Sequence, residues 1–78
     1  MVFHEIAKLR MKYGLSQSQA ARILGIKNYK LVSHWENGFR SPTEMTKRFI
    51  RLLLELPRHQ SEILLKKLES YGDDDANS

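Results

Sequence analysis

The chain has no cysteine among its 78 residues. Disulfides and thiolate metal sites are therefore excluded, and the absence fits the reducing cytoplasm in which we expect the protein to work. No run of eighteen apolar residues occurs, so no membrane span is expected. Met1 to Tyr13 does not read as a signal peptide, because Glu5 and Lys8 interrupt any apolar stretch. Strand-like alternation, internal repeats and linker-like segments are also missing. No nucleophile stands beside a base, and no glycine-rich phosphate loop is visible. His4, His34 and His59 lie far apart at no ligand-like spacing, so no metal is expected. These absences argue against an enzyme and against any cofactor.

What remains is a basic chain of moderate apolar content. Hydrophobic residues make up 41%, enough for one small helical domain and too much for global disorder. The formal net charge is +4, and three of the acids are Asp73, Asp74 and Asp75 near the end. Residues 1–72 carry thirteen basic and six acidic side chains, a balance of +7. That sign of charge attracts phosphate polymers through counterion release.

The order of caps and stops predicts an all-α fold of five helices. Val2, Ile6, Leu9 and Tyr13 form one apolar stripe on a first helix over residues 2–13, ended by Gly14. Ser16 caps a second helix over 16–24, with Gln19 closing a capping box. Ala20 and Ala21 keep that helix thin, and Gly25 can end it in a left-handed conformation. Asn28 caps a third helix over 28–37, with Val32 and Trp35 turned inward and Asn37-Gly38 as its stop. Ser41-Pro42-Thr43-Glu44 reads as a cap, a first-turn proline and a box-closing glutamate. The fourth helix, over 42–56, offers Met45, Phe49, Leu52, Leu53 and Leu56 for burial. After Pro57, a fifth helix over 58–70 carries Ile63, Leu64 and Leu68. Residues 73–78 are expected to form a disordered acidic tail behind a domain of residues 1–72. Residues 16–37 are thus two short helices crossing through a tight turn, the helix-turn-helix arrangement that places its second helix in the major groove.

The stretch from about Ile6 to Phe49 resembles the helix-turn-helix of the lambdoid phage repressors and the wider Xre-type transcription regulators. The most specific pieces are Gly14-Leu15-Ser16-Gln17, Ala21, Leu24-Gly25 and Trp35-Glu36-Asn37-Gly38, closed by Arg40-Ser41-Pro42. From Gly25 to Trp35 the segment is one residue longer than the usual family spacing. The resemblance implies a base-contacting set of Tyr29, Lys30 and His34, and Ser33 joins it by falling on the same outer face. It implies a phosphate anchor at Gln17, which also orients a residue of the reading helix, and a phosphate contact at Asn37. Lys27 and Arg40 are assigned to the DNA backbone by loop position and charge. Each assignment has a plainer rival: a solvated side chain for Tyr29 and Ser33, helix propensity for Gln17, a C-cap for Asn37. Trp35 is expected in the core rather than stacked on a base. Arg10 and Glu36 match a family pair that forms an inner salt bridge between the first and third helices.

Leu64, Leu65 and Leu68 either finish the monomer core or form a dimer seam, with residues 42–70 as the dimerising helices. Half-site recognition by so small a domain is weakly specific, so a homodimer on a palindromic double-stranded operator is expected. Two functions compete. One is a sequence-specific repressor autoregulating a small operon of phage, toxin-antitoxin, restriction-modification or anti-CRISPR type. The other is an antitoxin-like module that neutralises a partner toxin, for which residues 57–78 are the available binding segment.

Overall fold

A computed structural model describes residues 3–76, with side chains described through residue 72. The described chain is all-α: α1 His4–Tyr13, α2 Gln17–Ile23, α3 Lys30–Asn37, α4 Glu44–Glu55 and α5 Arg58–Ala76, with no strand among the described residues. Ile6 and Leu9 of the first stripe are buried, and Val2 lies outside the described residues. The capping box on α2 is complete. Ser16 Oγ accepts from the Gln19 N–H at 3.0 Å, and Gln19 Oε1 accepts from the Ser16 N–H at 2.8 Å. Gly25 follows α2 at φ +73°, a left-handed conformation that would strain any residue with a Cβ.

The third helix begins at Lys30, two residues later than expected. Tyr29 already has helical dihedrals, and Asn28 Oδ1 accepts from the Lys30 N–H at 2.9 Å. Asn28 therefore still serves the first turn, through a local side-chain-to-backbone bond. The fourth helix begins at Glu44 rather than Pro42, and its cap is Thr43, whose Oγ1 accepts from the Thr46 N–H at 3.3 Å. Pro42 is buried ahead of the helix, and the neighbouring threonine offers the cap hydroxyl that Ser41 was expected to supply.

The core joins Phe3, Ile6 and Leu9 to Ala20, Ala21 and Ile23, to Val32 and Trp35, and to Ile50, Leu53 and Leu65. Of the residues expected inward on α4, Leu53 is fully buried and Phe49 packs against the core, whereas Met45 and Leu52 are 74% and 48% exposed and Ile50, outside the expected set, is fully buried. On α5 the inward residues are Ser61, Leu65 and Leu68, spaced i, i+4, i+7, while Ile63 and Leu64 face outward. Ser61 sets that phase. Its hydroxyl is fully buried and donates to the Leu53 carbonyl at 2.6 Å across the turn at Pro57. This satisfies a carbonyl in the last turn of α4 that has no intrahelical partner.

Instead of ending near residue 70, α5 continues through Gly72 to Ala76. The tail expected to be disordered, residues 73–78, thus overlaps the helix at 73–76, and Asn77 and Ser78 lie outside the described residues. Gly72 lies against α2, where an added Cβ would stand 3.4 Å from Arg22 Cβ. Packing of α5 against α2, at Gly72 among other places, supplies support that a short isolated helix end lacks.

Candidate nucleic-acid interface

Burial of Val32 and Trp35 turns the opposite face of α3 outward. Lys30, Ser33, His34 and Asn37 share that face at positions i, i+3, i+4 and i+7. Lys30 and Asn37 are exposed, Ser33 and His34 are half-buried, and Tyr29 stands exposed just before the helix. All four expected base-contact residues, Tyr29, Lys30, Ser33 and His34, therefore fall along one edge of α3 and the residue before it. Lys27 in the preceding turn and Arg40 in the following loop flank it, both exposed.

The inner side of α3 is held by charge. Arg10 forms a bidentate fork with Glu36: Nε donates to Oε2 at 2.7 Å and Nη2 to Oε1 at 2.8 Å. Arg10 Nη1 also donates to the Leu15 carbonyl at 3.1 Å. The hydrogen bonds from Arg10 hold the Glu36 carboxyl below the usual carboxylate range, against the opposing effect of partial burial. Those same bonds to Glu36 raise the Arg10 guanidinium above its ordinary value.

Gln17 joins this cluster from α2, its Nε2 donating to Glu36 Oε1 at 3.2 Å. The α3 residue that Gln17 touches is thus the buried-side glutamate. Ser16 has already taken the Gln19 N–H, so the N–H groups of Gln17 and Ser18 remain without intrahelical partners in the first turn of α2. Asn37, exposed at the end of α3, turns its Oδ1 back to accept from the Phe39 N–H at 3.0 Å, a bond that does not use its amide hydrogens.

The distribution of ion pairs sharpens the picture. Glu5 pairs with Arg51, Glu44 with Arg48 and Glu62 with Arg58, all away from the helix-turn-helix. Within residues 14–43 the only acid is Glu36, and it is turned inward to Arg10. Among the described residues, no ion pair engages Lys27, Lys30 or Arg40. Around the outward stripe of α3, Lys27, Lys30 and Arg40 thus form a cationic rim with no carboxylate paired to them among the described residues.

A family model described as Helix-turn-helix matches residues 6–46, just over half of the chain. The chain belongs to the Xre/lambda repressor-like helix-turn-helix family. This is a family of DNA-binding regulators of transcription, and the matched residues span α1 to the first turn of α4. Comparison of this helix-turn-helix protein with curated proteins and with solved structures yields no match.

Two further residues that touch α3 were not legible as site candidates. Phe3 is buried, and its N–H donates to the Trp35 carbonyl at 3.3 Å, fastening the start of α1 to the end of α3. Phe39 lies beyond α3 with its ring centroid 5.0 Å from that of His34. Among the described residues no group of three or more His, Cys, Asp or Glu could hold a metal ion, and no helix is long and apolar enough to cross a membrane.

Proposed function

We propose that this helix-turn-helix protein is a sequence-specific, cytoplasmic transcriptional repressor that binds a palindromic duplex as a homodimer and controls its own small operon. The observation that carries the reading is the charge of Lys27, Lys30 and Arg40 around the outward stripe of α3, which no ion pair among the described residues offsets. A surface of that kind is attracted to a polyanion and loses affinity with salt. Lys30 suits the guanine O6 and N7 acceptors in the major groove, and His34 can donate to the same edge. Tyr29 and Ser33 extend the readable face. Gln17, Lys27, Asn37 and Arg40 anchor phosphates on either side, where contacts fix register without reading sequence.

Dimerisation is assigned to α5, with a revised seam. Leu65 is 5% exposed and committed to the core, and Leu68 packs against it. The apolar groups left outward are Leu64 at 37% and Tyr71 at 51%, seven residues apart on one face, with Ile63 beside them at 54%. Two copies joined there would present α3 to successive major grooves about 34 Å apart.

Titration of the purified chain on a duplex covering its own promoter, beside a shuffled duplex at matched salt, tests the reading. Tighter, salt-sensitive binding and a two-fold symmetric footprint on the promoter are expected. Equal affinity for both duplexes would overturn sequence-specific regulation. Co-purification of a toxin, with no promoter preference, would favour the antitoxin role instead.

A further inference from the structure

Phe39 is 73% exposed, yet it is held in place. Scattered apolar side chains are ordinary on a protein surface. Met11 and Met45, at 83% and 74%, need no further account. Phe39 differs because its backbone is pinned on both sides. Its own N–H donates to Asn37 Oδ1 at 3.0 Å, and the next N–H, of Arg40, donates to the His34 carbonyl at 3.2 Å. Gly38 makes the sharp turn between them at φ +84°. The ring then leans on the His34 imidazole, centroids 5.0 Å apart and planes at 50°. An apolar ring is thereby fixed as a continuation of the Lys30, Ser33, His34 and Asn37 stripe, one step past the end of α3.

We propose that Phe39 reads a thymine in the operator through its C5-methyl group, with His34 as the support that aims the ring. The inference rests on the DNA-binding reading above. Arg40 follows Phe39 in the chain and Lys30 stands one turn before His34 on α3, with no carboxylate paired to either among the described residues, which favours a polyanion over an apolar pocket of another protein. On the major-groove edges of the four bases, the thymine methyl is the apolar group available for such a ring.

The test uses duplexes that the wild-type chain selects from a random pool, resynthesised with deoxyuridine in place of each thymine in turn. Deoxyuridine lacks only the methyl. One thymine per half-site should show an about fourfold loss of wild-type affinity on replacement, the factor expected for one buried methyl. Phe39→Ala should bind the thymine and deoxyuridine duplexes equally at that position, while unfolding at the wild-type temperature. The inference is overturned if no thymine behaves so, or if Phe39→Ala keeps the wild-type penalty. Equal loss of selected and unselected DNA by Phe39→Ala also overturns it, because the ring would then serve the DNA backbone. A wild-type chain that enriches no sequence at all would bring down the DNA-binding reading itself, and this inference with it.

Discussion

Arg10 and Glu36 lie twenty-six residues apart and meet in a two-bond fork that fastens α1 to α3. The side chains are 24% and 15% exposed, so the pair is neither a surface ornament nor fully dry. Gln17 and the Leu15 carbonyl close the same cluster from the start of α2. One polar cluster thus ties α1, the start of α2 and α3 together beside their shared apolar core.

Breaking this fork should destabilise the fold. Arg10→Ala should cost about 1–3 kcal/mol, between the values for exposed and buried pairs, because it leaves the Glu36 carboxylate half-buried without its main partner. In a double-mutant cycle, Arg10→Ala with Glu36→Ala should cost less than the sum of the singles. Strict additivity in denaturant melts would refute coupling. The Glu36 carboxyl titrates lower in the folded chain, so its contribution is complete above the ordinary carboxylate range and fades as pH falls through the lowered value. Wild type should consequently lose stability on acidification more steeply than Glu36→Gln.

Substitutions on the outward face should divide by what they touch. Lys30→Ala and His34→Ala should each cost about 1–3 kcal/mol on the operator and relax preference at one base pair per half-site. Gln17→Ala should weaken operator and random duplexes together, with a small loss of stability from its missing bond to Glu36. Parallel titrations of the three variants on both duplexes check this. Equal losses on both duplexes for Lys30→Ala and His34→Ala would show that α3 is not the reader.

At the turn between α4 and α5, Ser61→Ala should lower stability by about 1–3 kcal/mol, because the Leu53 carbonyl is left buried without a donor. A thermal melt unchanged from wild type would contradict that role.

Leu64 and Leu65 are neighbours with opposite expected effects. Leu64→Glu should leave a folded monomer, seen as a halved mass in sedimentation with the helical spectrum intact. Leu65→Ala should instead unfold the chain more easily, by about 2–5 kcal/mol, as for other large-to-small core changes. A folded dimer from Leu64→Glu would remove α5 from the dimer seam.

The sequence by itself determined the five helices, the family, and which residues of α3 turn outward. Those features are written in short-range chemistry. The Ser16 box closes over three residues, Gly25 and Gly38 end helices by their own backbone freedom, and Val32 and Trp35 lock the phase of α3 between polar neighbours. Tertiary structure alone decided the faces of α4 and α5. Leu52-Leu53-Leu54 and Ile63-Leu64-Leu65 are apolar runs with no internal phase, and in the folded chain Leu53 and Leu65 enter the core beside the buried bond from Ser61 to the Leu53 carbonyl. The cap of α4 passed to Thr43 while Pro42 was drawn into a buried place, a choice between equivalent hydroxyls that only packing could make. Gly72 reads locally as a stop, yet α5 runs past it because α2 offers a surface to lie on. Caps are satisfied within a turn of chain and are legible there. The side of a uniformly apolar helix that is buried depends on partners distant in sequence, and only the folded chain brings them together.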